Sequence, residues 1–277
     1  MRILVSGANG YLGRGIVKQL LDYDQEVVAT DFKCDMVDDR AKKIDCNLFE
    51  VEDPFLYFNK PDVLLHLAWR DGFSHYSDSH IDDLSKHYMF LKSIACSDIG
   101  KIAVLGSMHE IGFFEGSVKE DTPCNPITPY GISKNSLRML TQMLCAQNNK
   151  TYMWLRGFYI VSNNRHGSSV FSKIANAEAE GELEFPLTMG KNQFDFIDYD
   201  SFCEKVCRAI LQNDINGIIN ICSGQPERLA ERIERFVLEN HYRIHLKYGA
   251  FPDRPYDSKA IWGDNQKINE IERVSLY

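Results

Sequence analysis

The chain has 277 residues, 44% apolar and 25% charged, enough to bury a full core in one large domain or in one domain with a smaller lobe. Its formal net charge of −8 excludes a general nucleic-acid or anionic-membrane surface, although local backbone amides and one or two arginines can still bind a phosphorylated ligand. No run of about 18 apolar residues exists to span a membrane, and no signal peptide precedes the first strand, so a cytoplasmic protein is expected.

Residues 1–6 read as a buried strand around Ile3-Leu4-Val5. The segment Gly7-Ala8-Asn9-Gly10-Tyr11-Leu12-Gly13 then makes a glycine-rich turn into an amphipathic helix over 11–23. Small residues at this spacing permit a tight turn and let backbone N–H groups approach a dinucleotide's pyrophosphate. They also bring the helix close to the strand, with its positive N-terminus at the anion. A second short strand, 26–30, ends at Asp31, 18 residues after Gly13. A carboxylate there accepts both adenosine ribose hydroxyls and repels a 2′-phosphate, which favours NAD; Lys33 and Arg14 lie close enough to leave NADP open.

A weak third strand ends at Ile44-Asp45, Pro61-Asp62 introduces a strong one over 63–68, and a helix follows over about 81–97. Another buried strand, 101–106, carries Ser107 to its C-terminal end, where ligands bind in open α/β sheets. The next helix bears Tyr130 and Lys134, one turn apart on the same face, and extends to about 148. Tyrosine's ordinary pKa is about 10; a nearby ammonium favours the phenolate, and the lysine can also bond a nicotinamide ribose. Alone, the pair reads as an exposed i,i+4 couple. With Ser107 it reads as a proton-transfer set.

A further strand spans 152–160, and after Ser162 the pattern loosens into loops and short elements. Strands alternating with helices predict an α/β fold, a Rossmann-type doubly wound parallel sheet covered on both faces. The expected division is 1–162 for dinucleotide binding and 163–277 for a smaller substrate-binding lobe, with segments around 194–224 returning to the first. The eight cysteines form no C-x-x-C pair and no zinc-spaced cluster, so free thiols and no metal are expected. His75, His80 and His87 likewise lack metal spacing and read as surface or structural residues. Trp154 and Trp262 read as core.

Taken in order, these segments resemble the extended short-chain dehydrogenase/reductase family, the NAD-dependent epimerase/dehydratase group that modifies nucleotide sugars. The likeness runs from Gly7 to Gly13 through Asp31, Asp45, Val63-Leu64-Leu65-His66-Leu67-Ala68, Gly106-Ser107 and Tyr130 to Lys134. It continues through Leu155-Arg156, Phe194-Asp195-Phe196-Ile197-Asp198 and Asn220-Ile221-Cys222-Ser223-Gly224. The resemblance implies that Ser107, Tyr130 and Lys134 are catalytic. It puts Gly7, Asn9, Gly10, Tyr11, Leu12, Gly13, Asp31, Leu67, Ala68 and Phe158 along the cofactor, with Asp45 and Cys46 near its adenine.

The departures are equally specific. Where the family's 4,6-dehydratases carry Asp-Glu after the serine, this chain has Met108 and His109, which speaks against a dehydratase. Tyr159 replaces the Asn of R-x-F-N, Asp198 the His of F-I-H-V-D-D, and Phe194 an arginine that contacts the diphosphate. Arg254 is the candidate replacement, or else a loop arginine paired with Asp253 or Asp257. Trp69, Met108, His109, Tyr159 and Arg254 are thus expected on the substrate side, with His109 either a base or a hydrogen-bonding wall.

The leading expectation is a reductase of a nucleotide-linked 4-keto-6-deoxy sugar. The alternatives are an epimerase, at C4 by transient oxidation or at C3/C5 through His109, and a non-catalytic NAD-binding regulatory protein. The family likeness also implies a homodimer paired through the helices flanking the Tyr/Lys segment.

Overall fold

The computed structural model describes residues 1–165, 169–252 and 258–273. The first half runs β1 (Arg2–Ser6), α1 (Tyr11–Asp22), β2 (Glu26–Asp31), β3 (Lys42–Asp45), the single turn α2 (Pro54–Tyr57) and β4 (Val63–His66). It continues with α3 (Ser79–Asp82), α4 (Leu84–Ala95), β5 (Lys101–Ser107), β6 (Gly116–Val118), α5 (Pro129–Gln147) and β7 (Thr151–Gly157). The second half adds β8 (Tyr159–Val161), α6 (Val170–Glu180), β9 (Glu184–Pro186), β10 (Gln193–Asp198) and α7 (Tyr199–Leu211). It ends with β11 (Gly217–Ile221), β12 (Pro226–Arg228), α8 (Leu229–Glu239), β13 (His245–Lys247), β14 (Ala260–Gly263) and α9 (Gln266–Arg273).

Seven parallel strands form the main sheet in the order β11-β7-β5-β4-β1-β2-β3. Side chains alternate faces along each strand, and here both faces are apolar. Ile3, Val5, Leu65, Ala103 and Leu155 point to one layer, with Ile16, Val17 and Leu20 of α1 and Phe202, Val206 and Ile210 of α7. Leu4, Leu64, Ile102, Val104 and Trp154 point to the other, against Phe90, Leu91 and Ile94 of α4 and Leu137 and Leu144 of α5. The order reverses between β1 and β4. Their C-terminal ends therefore border the crevice where ligands bind in this topology.

Three sequence expectations need adjusting. The helix expected over 81–97 is broken between α3 and α4 at Asp83, whose carboxylate takes Arg70 and Lys86. The strand expected over 152–160 stops at Gly157, and the chain changes sheets: β8 pairs with β10 in a second layer, ordered β12-β10-β14-β6. The region after Ser162 is also more regular than expected. Helices α6 and α8 place Phe171, Ile174, Ile233 and Phe236 against Val161 and Phe196 as a separate apolar core.

Of the segment around 194–224, α7 and β11 join the main layer while β10 belongs to the second sheet. Asp195 on β10 holds the layers in place. Its fully buried carboxylate accepts from Ser223 N (2.7 Å), Gly224 N (2.8 Å) and Gly263 N (3.0 Å). Among the described residues no helix is long and apolar enough to cross a membrane.

Candidate active site

The cofactor end is shaped by close backbone approach. Gly7 has φ of 73°, and a Cβ there would meet Ala68 N at 2.6 Å; one on Gly13 would meet Gly7 O at 2.3 Å. The turn thus presses β1 and α1 against the end of β4. α1 starts from Gly10 with no side-chain cap, so its first N–H groups face the crevice free of an internal acceptor. This cradle fits a pyrophosphate.

Asn9 braces the turn. Its backbone N–H donates to Asp31 Oδ2 (3.1 Å), and its amide spans Asp35 and the backbone N–H of Met36. Asp31, in register with Asp45, also accepts from Phe32 N (2.8 Å) and keeps lone pairs for ribose hydroxyls. Asp45 is engaged by the Cys34 N–H (2.9 Å), and Cys46 lines a cleft with Asn47 and Glu50. Leu12 packs against the core, whereas the side chain of Tyr11 turns to Ser162 (2.5 Å) and Tyr199. Leu67 and Ala68 lie beside the glycine turn; Phe158 is 5% exposed and packs under the second sheet.

The catalytic end converges from β5 and α5. Thr128 caps α5 through the Gly131 N–H, with Pro129 at its first position, which sets Tyr130 in the opening turn. Ser107, the last residue of β5, accepts the His109 N–H (3.3 Å) and acts on the Tyr130 hydroxyl in favour of its ionised form. Burial pushes the phenol up to about 12, against the opposing effect of Ser107, so it is protonated at neutral pH.

Lys134 donates to Leu105 O (2.9 Å) and rests 3.9 Å from the centroid of the Trp69 ring. Burial takes its ammonium down to about 7, with Glu110 acting upward. The sequence reading had Lys134 drawing the tyrosine toward its phenolate. In this geometry burial dominates instead, and Ser107 is the group that favours ionisation.

Histidines crowd this site far more than their spacing suggested. The His75 ring lies flat on Tyr130 (centroids 4.9 Å apart, 6° between planes), and its carbonyl accepts the Tyr130 N–H at 3.1 Å. His109 lies 4.3 Å from His75, ring to ring. His80 accepts from Trp69 Nε1 (3.0 Å) and lies 5.2 Å from Tyr130. Behind Trp69, His87 stacks at 4.7 Å and shares a 2.9 Å hydrogen bond with His66, which in turn meets Ser6 Oγ at 2.7 Å.

Burial lowers His109 to about 3, with His75 adding to the effect. A neutral imidazole of that kind holds a hydroxyl well but is a poor base at neutral pH. Nothing in the spacing could have signalled this gathering, because it depends on the β4–α3 loop folding over α5. Among the described residues no group of three or more His, Cys, Asp or Glu is arranged to hold a metal ion.

Glu110 was missed altogether as a participant. It is fully buried, accepting from Arg156 Nε (2.6 Å) and Trp154 Nε1 (2.8 Å). Trp154, expected as plain core, lies across Gly106, where a Cβ would fall 2.0 Å from its Nε1.

Met108 is 5% exposed among Ile111, Val118 and Phe158 and supports the site from below rather than lining it. Tyr159 stands 5.9 Å from His109 and 4.6 Å from Phe194, an aromatic wall where the family carries Asn and Arg. Arg254 lies outside the described residues.

Known proteins resemble this chain in sequence and in fold. The model of the NAD dependent epimerase/dehydratase family matches residues 3–222. A dTDP-6-deoxy-L-talose 4-dehydrogenase (NAD(+)) from Aggregatibacter actinomycetemcomitans is 39% identical over 269 residues, 95% of this chain and 99% of that protein. UDP-N-acetylglucosamine 4-epimerase from Methanobrevibacter ruminantium M1, solved with UDP-N-acetylmuramic acid, is similar in fold at 20% identity. Its TM-score is 0.85, covering 99% of this chain and 92% of that one. The dTDP-glucose 4,6-dehydratase DesIV from Streptomyces venezuelae, with NAD bound, gives a TM-score of 0.82 at 17% identity over 98% of this chain and 90% of that one.

Proposed function

The chain belongs to the NAD dependent epimerase/dehydratase family, and on that premise we propose that it moves a hydride between NAD and C4 of a dTDP-linked 6-deoxy hexose. Membership makes it an NAD-dependent enzyme of the extended short-chain dehydrogenase/reductase type. The dTDP and 6-deoxy parts of the proposal follow the talose dehydrogenase, which aligns over almost its whole length. Bound NAD supplies the hydride acceptor, and its reduced form the donor.

The protein's own residues handle binding and one proton. The turn from Gly7 to Gly13 and the start of α1 hold the pyrophosphate, and Asp31 the adenosine ribose. Ser107 and Tyr130 hold the C4 oxygen. In reduction the carbonyl carbon gains hydride and its oxygen takes the Tyr130 proton; in oxidation both leave by the same route. The observation that carries this reading is the buried, protonated Tyr130 of α5 facing Ser107 at the end of β5, with the neutral ring of His109 6.1 Å away. Such a site serves one oxygen, and His109 is a poor base for a carbon-bound proton at C3 or C5. Protonated Tyr130 is the donating form, which suits reduction of a 4-keto sugar; the same path run backwards is the oxidation. The lobe of β8, β10, β12, β14, α6 and α8 is assigned to the nucleotide sugar.

The experiment incubates dTDP-4-keto-6-deoxy hexose with NADH, and dTDP-6-deoxy-L-talose with NAD, following nicotinamide absorbance and the sugar product together. Stoichiometric change in both is expected. C4 inversion with no net change in nicotinamide would mark an epimerase and sink the proposal. Binding of NAD without turnover of any sugar nucleotide would favour the regulatory alternative. Tyr130→Phe should lose about 10²- to 10⁴-fold in kcat while still binding NAD.

A further inference from the structure

Glu110 stands directly behind the catalytic set. It ends the turn that follows Ser107 and is sealed from solvent with Arg156. Burying two such charges costs several kcal/mol per ion, and apolar residues of similar volume often fill the same space as well or better. The pair is also oriented. Glu110 follows β5, whereas Arg156 Nη1 reaches outward to Lys119 O (3.2 Å) and to Asn220 Oδ1 (3.3 Å) on β11, the far side of β7. Glu110 also accepts from Trp154 Nε1, which lies across Gly106, while Lys134 holds the carbonyl of Leu105 just before it. Carboxylate and ammonium thus meet at one stretch of β5, and the charge of Glu110 favours protonation of both Lys134 and Tyr130.

We propose that Glu110 is a positioning residue that keeps Lys134 in its ammonium form inside a site whose burial works against charge. The inference rests on the reading of Lys134 as part of the catalytic set. Among the described residues, the other groups facing Lys134 do not supply that help. His66 of β4 and His87 of α4 are held neutral by burial, Tyr130 on α5 is a phenol, and Leu105 O and the Trp69 face carry no formal charge. Around Glu110 itself stand Arg156 and Tyr152 of β7 and Cys124 ahead of α5, with Arg138 of α5 acting on the last two. Removing the Glu110 charge lowers the proton affinity of Lys134. The ammonium is then lost at lower pH, and activity that needs it fails earlier as pH rises.

Trp69 provides a readout that needs neither substrate nor cofactor, because the ammonium lies 3.9 Å from its ring centroid. Tryptophan emission of the free protein is titrated across neutral pH, and Lys134→Met identifies the transition that belongs to the lysine. In Glu110→Gln that transition should move down by about one pH unit, with the alkaline limb of kcat/KM moving alongside. The double variant Glu110→Gln/Arg156→Gln leaves no buried charge alone and should shift in the same direction by less, because the opposing guanidinium is gone too.

An unmoved transition in either folded variant overturns the proposal. So does failure of both variants to fold, which would make the pair purely structural. If the emission carries no lysine-dependent transition, the kinetic limb decides in the same sense. Should Tyr130→Phe keep its turnover while the transition still shifts, the catalytic reading falls and the Glu110–Lys134 coupling stands.

Discussion

At the scale of single residues, Asp31 is the group we propose to select the cofactor. Two backbone N–H groups, from Asn9 and Phe32, hold its carboxylate at the end of β2. Asp31→Ser should lower kcat/KM for NAD by about tenfold or more, the worth of a charged hydrogen bond, and narrow the gap to NADP. Unchanged preference in steady-state kinetics with both cofactors would remove Asp31 from the ribose site. Residues of this kind could be singled out in the sequence because the end of a strand or one helical turn fixes where they stand. The same holds for Tyr130 and Lys134, fixed by one helical turn. Glu110 was not legible, since its partner Arg156 lies 46 positions away and a lone glutamate in a turn ordinarily stays in water. His75 escaped for a related reason: only the folded loop lays it on Tyr130.

At the scale of elements, β5 and α5 are clamped by contacts too close for any side chain. A Cβ on Gly106 would strike Trp154, and one on Gly131 would come 2.5 Å from His109 O. Gly106→Ala should therefore cost about 1–3 kcal/mol and lower the thermal midpoint by several degrees, measured by calorimetry. An unchanged midpoint would mean that Trp154 can move aside, and with it the donor that holds Glu110. The alternation of apolar residues revealed the main strands, whereas the switch of sheets at Phe158 left no such trace. Both β7 and β8 are apolar and extended; what separates them is pairing, β7 with β5 and β11, β8 with β10.

At the scale of the whole molecule, two properties emerge that no single element holds. Helices α4 and α5 pack side by side yet leave Met89 59%, Met139 57% and Met143 39% exposed. We propose that this face pairs two copies of the chain. Sedimentation should give a dimer, and Met139→Glu with Met143→Glu should give a monomer; a monomeric wild type would refute the pairing.

The second property is acid sensitivity. His66, His87 and His109 are neutral in the fold, their proton affinities depressed by burial. The unfolded chain binds those protons below its ordinary histidine range near pH 6.5, while the folded chain does not. Stability contributed by the neutral form is thus present above that pH and declines as pH falls below it. Thermal midpoints should drop steeply between about pH 6.5 and 5, with a gentler slope in His87→Gln. A flat profile there would mean that these rings reach solvent.

The glycine contacts carry one more consequence, for how this catalyst can diversify. Where backbone meets backbone, at Gly7 against Ala68 and at Gly131 against His109, almost no substitution is sterically free, so the reaction centre is effectively frozen. The rings of His75, His109, Tyr159 and Phe194 meet side chain to side chain. Libraries randomised at those four positions should therefore yield folded enzymes with altered sugar preference, while libraries at the glycines should yield mainly dead ones.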